Sequence, residues 1–358
     1  MKMRSLLVAP CVAVFACAAF AATFPRAVEA SPHIVECRSE GGSLSVSLAG
    51  AQTTSWRPAA LGGGEAFFMP SKTPWGEEVH GGLPLCWPWV GRRKGLPIHG
   101  LVRYMQWRLA RRLDSSCVEL ATESNADTLA LWPHKFRLTA RISIVDAATI
   151  EVVLSETNTG DEPFESAFGI HPYFSVSDSC SVSLDGRRLP RPVGETTKFP
   201  ADGEAHALSD MLNGRTYSIN APYADTWWVW NPGTETTPEM KTLAPDEWRR
   251  FWCLEALRRH PKPLAPGETR VSSVRLAVRR MPAKDAKPYM VIDLSGGPDA
   301  ASYPISSIDA EPQGGWTDEY KTTKLVLRRI EPGTCTMGCK ASETGYQDGN
   351  GETPQLLW

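Results

Sequence analysis

Residues 136–158 read Phe-Arg-Leu-Thr-Ala-Arg-Ile-Ser-Ile-Val-Asp-Ala-Ala-Thr-Ile-Glu-Val-Val-Leu-Ser-Glu-Thr-Asn. Phe136, Leu138, Ala140, Ile142 and Ile144 alternate with polar residues, which is the period of a half-buried strand. Asp146-Ala147-Ala148 reads as a turn, and Val152 and Leu154 belong to a returning strand, so the stretch predicts a β-hairpin. The same alternation recurs upstream at Leu44, Val46 and Leu48, and downstream from Val271 to Val278, where it ends in Arg279-Arg280. Convincing amphipathic helices are few. Strand patterns continue from residue 35 to 280 without an obvious linker, and 29 Gly and 29 Pro supply many turns. These features predict an all-β protein with one large antiparallel β-sandwich over residues 31–280.

Charge excludes some partners. Lys and Arg number 38 against 40 Asp and Glu, a formal net charge of -2, and no basic stripe alternates with aromatics, so nucleic acid is not expected. The 13 Trp have a plain reading as core and a functional one as stacking faces for sugar; their number alone favours the plain one.

The N-terminus reads as an export signal. Lys2 and Arg4 precede an apolar run from Leu6 to Ala16, and Ala19-Phe20-Ala21 fits a small-x-small cleavage site. The run is short of a membrane span and Pro10 interrupts it. Phe15 is too large for the lipoprotein pattern that ends at Cys17. A signal over residues 1–21, cleavage near Ala21 and a secreted or periplasmic protein with no stable membrane span are therefore expected. Cys11 and Cys17 leave with the signal. Cys37, Cys86, Cys117, Cys180, Cys253, Cys335 and Cys339 remain, an odd number at irregular spacing and so no disulfide framework. No C-x-x-C or H-x-x-x-H pair supports a zinc site, so no metal is expected.

Three segments concentrate histidine and carboxylate. The first is His80-Gly81-Gly82-Leu83-Pro84-Leu85-Cys86-Trp87-Pro88-Trp89, followed by Pro97-Ile98-His99-Gly100-Leu101-Val102-Arg103. The second is Phe168-Gly169-Ile170-His171-Pro172-Tyr173-Phe174. The third is Trp230-Asn231-Pro232, then Phe251-Trp252-Cys253-Leu254-Glu255, closed by Leu264-Ala265-Pro266-Gly267-Glu268. Each is weak alone. Taken in this order they resemble the aldose 1-epimerase, or mutarotase-like, superfamily, and most nearly its hexose-6-phosphate 1-epimerase branch.

The resemblance implies a galactose mutarotase-like supersandwich and an isomerase that interconverts the α and β anomers of an aldose or aldose 6-phosphate. Ring opening needs a base for the C1 hydroxyl and an acid for the ring oxygen, and no cofactor. By the family's motifs Glu255 matches the base, His171 the acid, and His99 a second histidine at the sugar. Arg103 matches an arginine expected on a substrate anion or hydroxyls. Trp230, His80 and Asp225 complete the expected substrate contacts. The plainer readings are a strand-end histidine packed on aromatics for His171, a loop residue for His99, and a paired or exposed carboxylate for Glu255. The rival function is a non-catalytic carbohydrate-binding module on the same sandwich.

Two departures bear on substrate. The sugar-phosphate branch has Arg before its Gly-Gly-x-Pro motif, where this chain has His80, a weaker anion partner. Arg92, Arg93 and Lys94 lie between the first two motifs; a solvated loop is the favoured reading, replacement of that arginine the other. An aspartate expected before Trp230 is also missing, and Asp210 or Asp225 is the nearest replacement.

Composition changes after Met281. Residues 281–288 are polar with Pro at both ends and read as a linker. Strands are expected at Tyr289–Leu294 and Lys324–Ile330, and the polar tail ends in Leu356-Leu357-Trp358 with nothing obvious to pair with. Tyr320 to Lys324 and Arg328 to Cys339 resemble the opening of a sulfatase-modifying-factor domain. The match is too short for that activity, so 289–358 is expected to be an incomplete, partly disordered appendage.

Overall fold

Phe136–Ile144 and Thr149–Asn158 form the expected antiparallel pair, in register from Phe136 opposite Asn158 to Ile144 opposite Ile150. The Asp146 carboxylate accepts the Ala148 N–H at 2.8 Å and closes the turn. Strict burial of alternate residues on both strands shows why the apolar period was decisive: one face is core and the other faces outward.

The computed structural model describes residues 33–72, 79–200, 203–281, 288–300 and 303–328, with backbone alone at 199–200, 335–337 and 355–357. The expected signal, its cleavage site and most of the expected linker lie outside the described residues. The chain divides into two compact units between Arg280 and Met281.

In the first unit the hairpin sits inside a nine-stranded antiparallel sheet. Across that sheet the order is Arg187–Arg188, Val182–Leu184, Ala205–Asp210, Arg215–Asn220, Thr269–Arg280, Thr149–Asn158, Phe136–Ile144, Cys117–Glu123 and Arg108–Arg112. A six-stranded sheet runs Thr197–Pro200, Thr226–Trp230, Phe251–Arg258, Phe168–Ile170 and Leu85–Cys86, with Tyr173–Ser175 also on Phe251–Arg258. A three-stranded meander is built from Ile34–Ser39, Gly42–Ser47 and Gln52–Pro58. One hydrophobic cluster draws Leu138, Ile142, Val152 and Leu276 from the large sheet, Trp227, Leu254, Ala256 and Ile170 from the second, and Leu44, Val46 and Trp56 from the meander. The architecture is therefore an antiparallel β-sandwich.

Phe251–Arg258 is the strand that matters for function. All eight of its residues are buried. Leu254 and Ala256 face the sandwich core, so the period of two sends Cys253 and Glu255 to the opposite face. There Cys253 packs with Phe68, Tyr173, Leu243 and Phe251 in a second, smaller cluster.

In the second unit Tyr289–Asp293 pairs with both Ile305–Ile308 and Lys324–Arg328. Trp316 packs between Tyr289 and Tyr320, with ring centroids 5.1 and 5.2 Å away. The tail does find a partner, contrary to expectation: Gln355–Leu357 pairs antiparallel with Cys335–Met337. Of the segment resembling a sulfatase-modifying factor, Arg329 to Thr334 and Gly338 to Cys339 lie outside the described residues.

Ile142 is 1% exposed at the centre of the large sheet. Ile142→Ala is expected to lower unfolding free energy by about 2–5 kcal/mol, read as a drop in the urea midpoint with an unchanged m-value.

Candidate active site

Pro172 decides the local geometry. The chain pairs with Phe251–Arg258 over Phe168–Ile170 and again over Tyr173–Ser175, in one continuous register. Between these two stretches Pro172 has no N–H to give the ladder. The His171 N–H turns away and donates to the Pro84 carbonyl at 3.1 Å. The continuing register sets His171 opposite Glu255, and His171 Nε2 lies 3.4 Å from Glu255 Oε1. Across the next two ladders Glu255 pairs with Trp228 and Trp228 with Lys198, so one row of side chains crosses four strand segments.

His99 comes from a different segment. Its backbone is left-handed, with φ 62°, and Gly100 follows at φ 89°. A β-carbon at Gly100 would lie 2.0 Å from the Trp87 carbonyl oxygen, so only glycine lets the turn pass this close. The left-handed conformation costs a histidine roughly 1–2 kcal/mol. Two bonds to Gly91 hold it: the His99 N–H donates to the Gly91 carbonyl at 3.0 Å, and the Gly91 N–H donates to His99 Nδ1 at 3.3 Å. Because Nδ1 accepts, the neutral ring carries its proton on Nε2. The two imidazoles meet edge to face with centroids 5.1 Å apart, and His171 stacks on Tyr173 at 4.9 Å.

These residues line a cleft of about 670 Å³, within the range for small-molecule sites. His80, His99, His171, Trp230 and Glu255 all line it. His80 Nδ1 is 2.5 Å from Thr242 Oγ1, and both side chains are in the wall. Arg103 is buried beside the site, donates to the Val79 carbonyl at 3.4 Å, and acts electrostatically on His99, His171 and Glu255.

Asp225, expected at the substrate, is elsewhere. Its carboxylate accepts the N–H groups of Arg259 and His260 at 2.8–3.1 Å and the Thr226 hydroxyl at 2.9 Å. It secures the far end of the strand rather than the sugar. Asp210 is no replacement either, since it is fully buried and accepts from Ser177, Leu212 and Asn213.

The cleft also contains residues that the motifs did not single out: Trp228, Lys198, Lys241 and Thr242. Trp228 was within reach of sequence reasoning, because it is two residues from Trp230 on the same strand and so shares its face. Arg92, set aside as a loop residue, is exposed as expected and yet lines the cleft. Its neighbour Arg93 lies over the Trp89 ring at 5.1 Å.

Burial dominates the electrostatics. It pushes Glu255 up to about 8, against a downward pull from Arg103. It pushes His171 well below its usual range, reinforced by His99 and Arg103, and His99 down to about 3. Burial thus disfavours the charged form of both partners of the His171–Glu255 contact. Glu255 Oε2 and His171 Nδ1 are buried without a hydrogen-bond partner. Such atoms cost stability unless something binds there. Among the described residues no group of three His, Cys, Asp or Glu is placed to hold a metal.

The aldose 1-epimerase family matches residues 33–202. Proteins of Escherichia coli and Salmonella typhimurium, each named "Putative glucose-6-phosphate 1-epimerase", are 28% and 29% identical. Those alignments cover 59% and 60% of this chain and 78% and 79% of the relatives. Together these matches support the aldose 1-epimerase superfamily for this chain. A crystal structure of a galactose mutarotase-like protein from Lactobacillus casei has the same fold, with TM-score 0.56 and 16% identity over 69% of this chain and all of that one. A carbohydrate epimerase, an isomerase on an antiparallel sandwich, is what these matches support, and the plain carbohydrate-binding rival is not favoured.

The displaced titration of Glu255 has a measurable consequence. Unfolded, the carboxyl titrates at its ordinary 4.5; folded, it keeps its proton to about 8. Its contribution to stability is full below the lower value and is lost as pH rises through the upper one. Glutamine carries no such dependence. Glu255→Gln should therefore gain stability relative to the parent as pH rises from about 5 to about 8 and level off above, measured by thermal melts across that range.

Proposed function

We propose that Glu255 and His171 carry out anomer interconversion on an aldose, with a hexose 6-phosphate the preferred substrate class. The contact between these two groups on the floor of the cleft is the observation that carries the reading. Reaction begins from the tautomer in which the shared proton has passed to His171. Glu255 takes the proton of the C1 hydroxyl, the C1–ring oxygen bond breaks, and His171 protonates the ring oxygen. The open aldehyde rotates about C1–C2, and the same groups act in reverse to close the ring. Arg103 favours the ionised Glu255 that this requires. His99 Nε2–H is the donor available to the oxygen on which charge develops.

The phosphate preference rests on the rim. Arg92, Lys198 and Lys241 line the cleft against one exposed carboxylate, Glu239. Relatives named as glucose-6-phosphate 1-epimerases point the same way. Trp230 lines the cleft with an aromatic ring suited to the C–H surface of a sugar, while Lys198 and Arg259 lie over the Trp228 ring at 5.2 and 5.1 Å. Export is part of the proposal, supported by the charged start, apolar run and small-residue site of residues 1–21; the mature protein should start after Ala21, which intact mass of secreted material will test.

Anomer exchange of glucose and glucose 6-phosphate, followed by NMR, tests the chemistry. Glu255→Gln should slow it by about 10²-fold or more. Rates of the parent equal to buffer reject the epimerase mechanism, and an unaffected variant rejects the assignment of Glu255. Lys198→Ala with Lys241→Ala should raise KM for the phosphate by roughly tenfold and leave KM for glucose near its parent value; equal changes in both would reject the phosphate preference.

A further inference from the structure

Glu156 is a carboxylate in the wrong place for a simple sandwich. It continues the core-facing stripe Ile150, Val152 and Leu154 on the large sheet and is 1% exposed. A charge there must be fully partnered, and Glu156 is. Oε2 accepts from Trp87 Nε1–H at 2.5 Å and from the Ser166 hydroxyl at 2.6 Å. Oε1 accepts from Arg258 and, at 3.2 Å, from Arg270.

Three of these donors belong to the segments that carry the catalytic set. Arg258 ends the strand that bears Glu255. Ser166 leads into Phe168–Ile170, which delivers His171, and its neighbour Ala167 donates to the Pro88 carbonyl at 2.8 Å. The Trp87 carbonyl accepts the Leu101 N–H at 2.7 Å, and Trp87 bridges to Gly100, the residue after His99. We infer that Glu156 is a positioning residue that ties the His99, His171 and Glu255 segments to one another from behind the cleft. The inference rests on the proposed catalytic roles of those three residues.

Glutamine has the same shape but cannot do this. With its amide oxygen toward Trp87 and Ser166, its NH2 faces the Arg258 and Arg270 donors; turned round, it faces the indole N–H. One arm of the tether is lost in either orientation. Asp210 supplies the control, because it is equally buried, accepts four backbone or side-chain donors, and touches none of the three segments.

The experiment compares Glu156→Gln, Ser166→Ala and Asp210→Asn by melting temperature, by kcat and KM for anomer exchange, and by ring 15N shifts of His99 and His171. Glu156→Gln should lower kcat roughly tenfold or more with KM little changed, and displace both sets of ring signals. Ser166→Ala, which removes one donor and folds more safely, should do the same to a smaller extent. Asp210→Asn should lower the melting temperature with parent-like kcat and ring shifts. Parent-like kcat and shifts in both Glu156→Gln and Ser166→Ala, or equal losses in Asp210→Asn, would overturn the inference. If the parent itself does not turn over sugars, the catalytic reading fails, while the ring shifts still decide whether Glu156 positions the imidazoles.

Discussion

Everything in the site depends on one strand being buried on both faces. Phe251–Arg258 gives Leu254 and Ala256 to the sandwich core, Cys253 to the second apolar cluster and Glu255 to the cleft. A central strand of this kind has partners on each edge and cover on each side, so it has little freedom to move. A carboxylate placed on it inherits that rigidity. It also inherits the low polarity of its surroundings, which pushes the Glu255 pKa up to about 8. The same burial therefore supplies both the precision and the reactivity of the site.

The proton bookkeeping follows from that constraint. An ion pair and a neutral pair between His171 and Glu255 hold the same number of protons, and burial chooses the neutral one. On the proposed reading, a sugar would bring hydroxyls to the unpartnered Glu255 Oε2 and His171 Nδ1. Hydrogen bonds to the charged forms then oppose the cost of burial, and Arg103 is already poised to stabilise the carboxylate. On that reading the charge of the site separates only when substrate is bound.

Much of this was legible in the sequence. Period-two alternation at 136–144 placed the main hairpin, because a sheet with one face in the core writes its pattern into every second residue. His99, His171, Glu255, His80 and Trp230 were found by motif and converge on one cleft. What failed was whatever depends on strand register between distant segments. Lys198 reaches the site only because it pairs with Trp228, a contact no local pattern reveals. Asp225 was named for its position before Trp230, yet it lies at the end of that strand, where the unpaired N–H groups of Arg259 and His260 claim it. Glu156 was within reach: extending the alternation of Ile150, Val152 and Leu154 puts a charge on the core face, an anomaly that asks for partners.

The two departures from the family's motifs can be weighed against this geometry. His80 stands where the sugar-phosphate branch has arginine, and the structure binds it to Thr242 in the wall. On the proposed reading, anion recognition has moved from a fixed guanidinium to Arg92, Lys198 and Lys241 on the rim. Lysines offer point charges on flexible stems rather than a planar fork, and exposed pairs are screened by salt. Such a rim attracts an anionic sugar without demanding one orientation of its phosphate. Selectivity for the reacting end is separate, because His99, His171 and Glu255 are buried and mutually tied. On the proposed reading the chain pairs a rigid chemical centre with a permissive rim, and histidine in place of the family's arginine bears on which sugars enter more than on what happens to them.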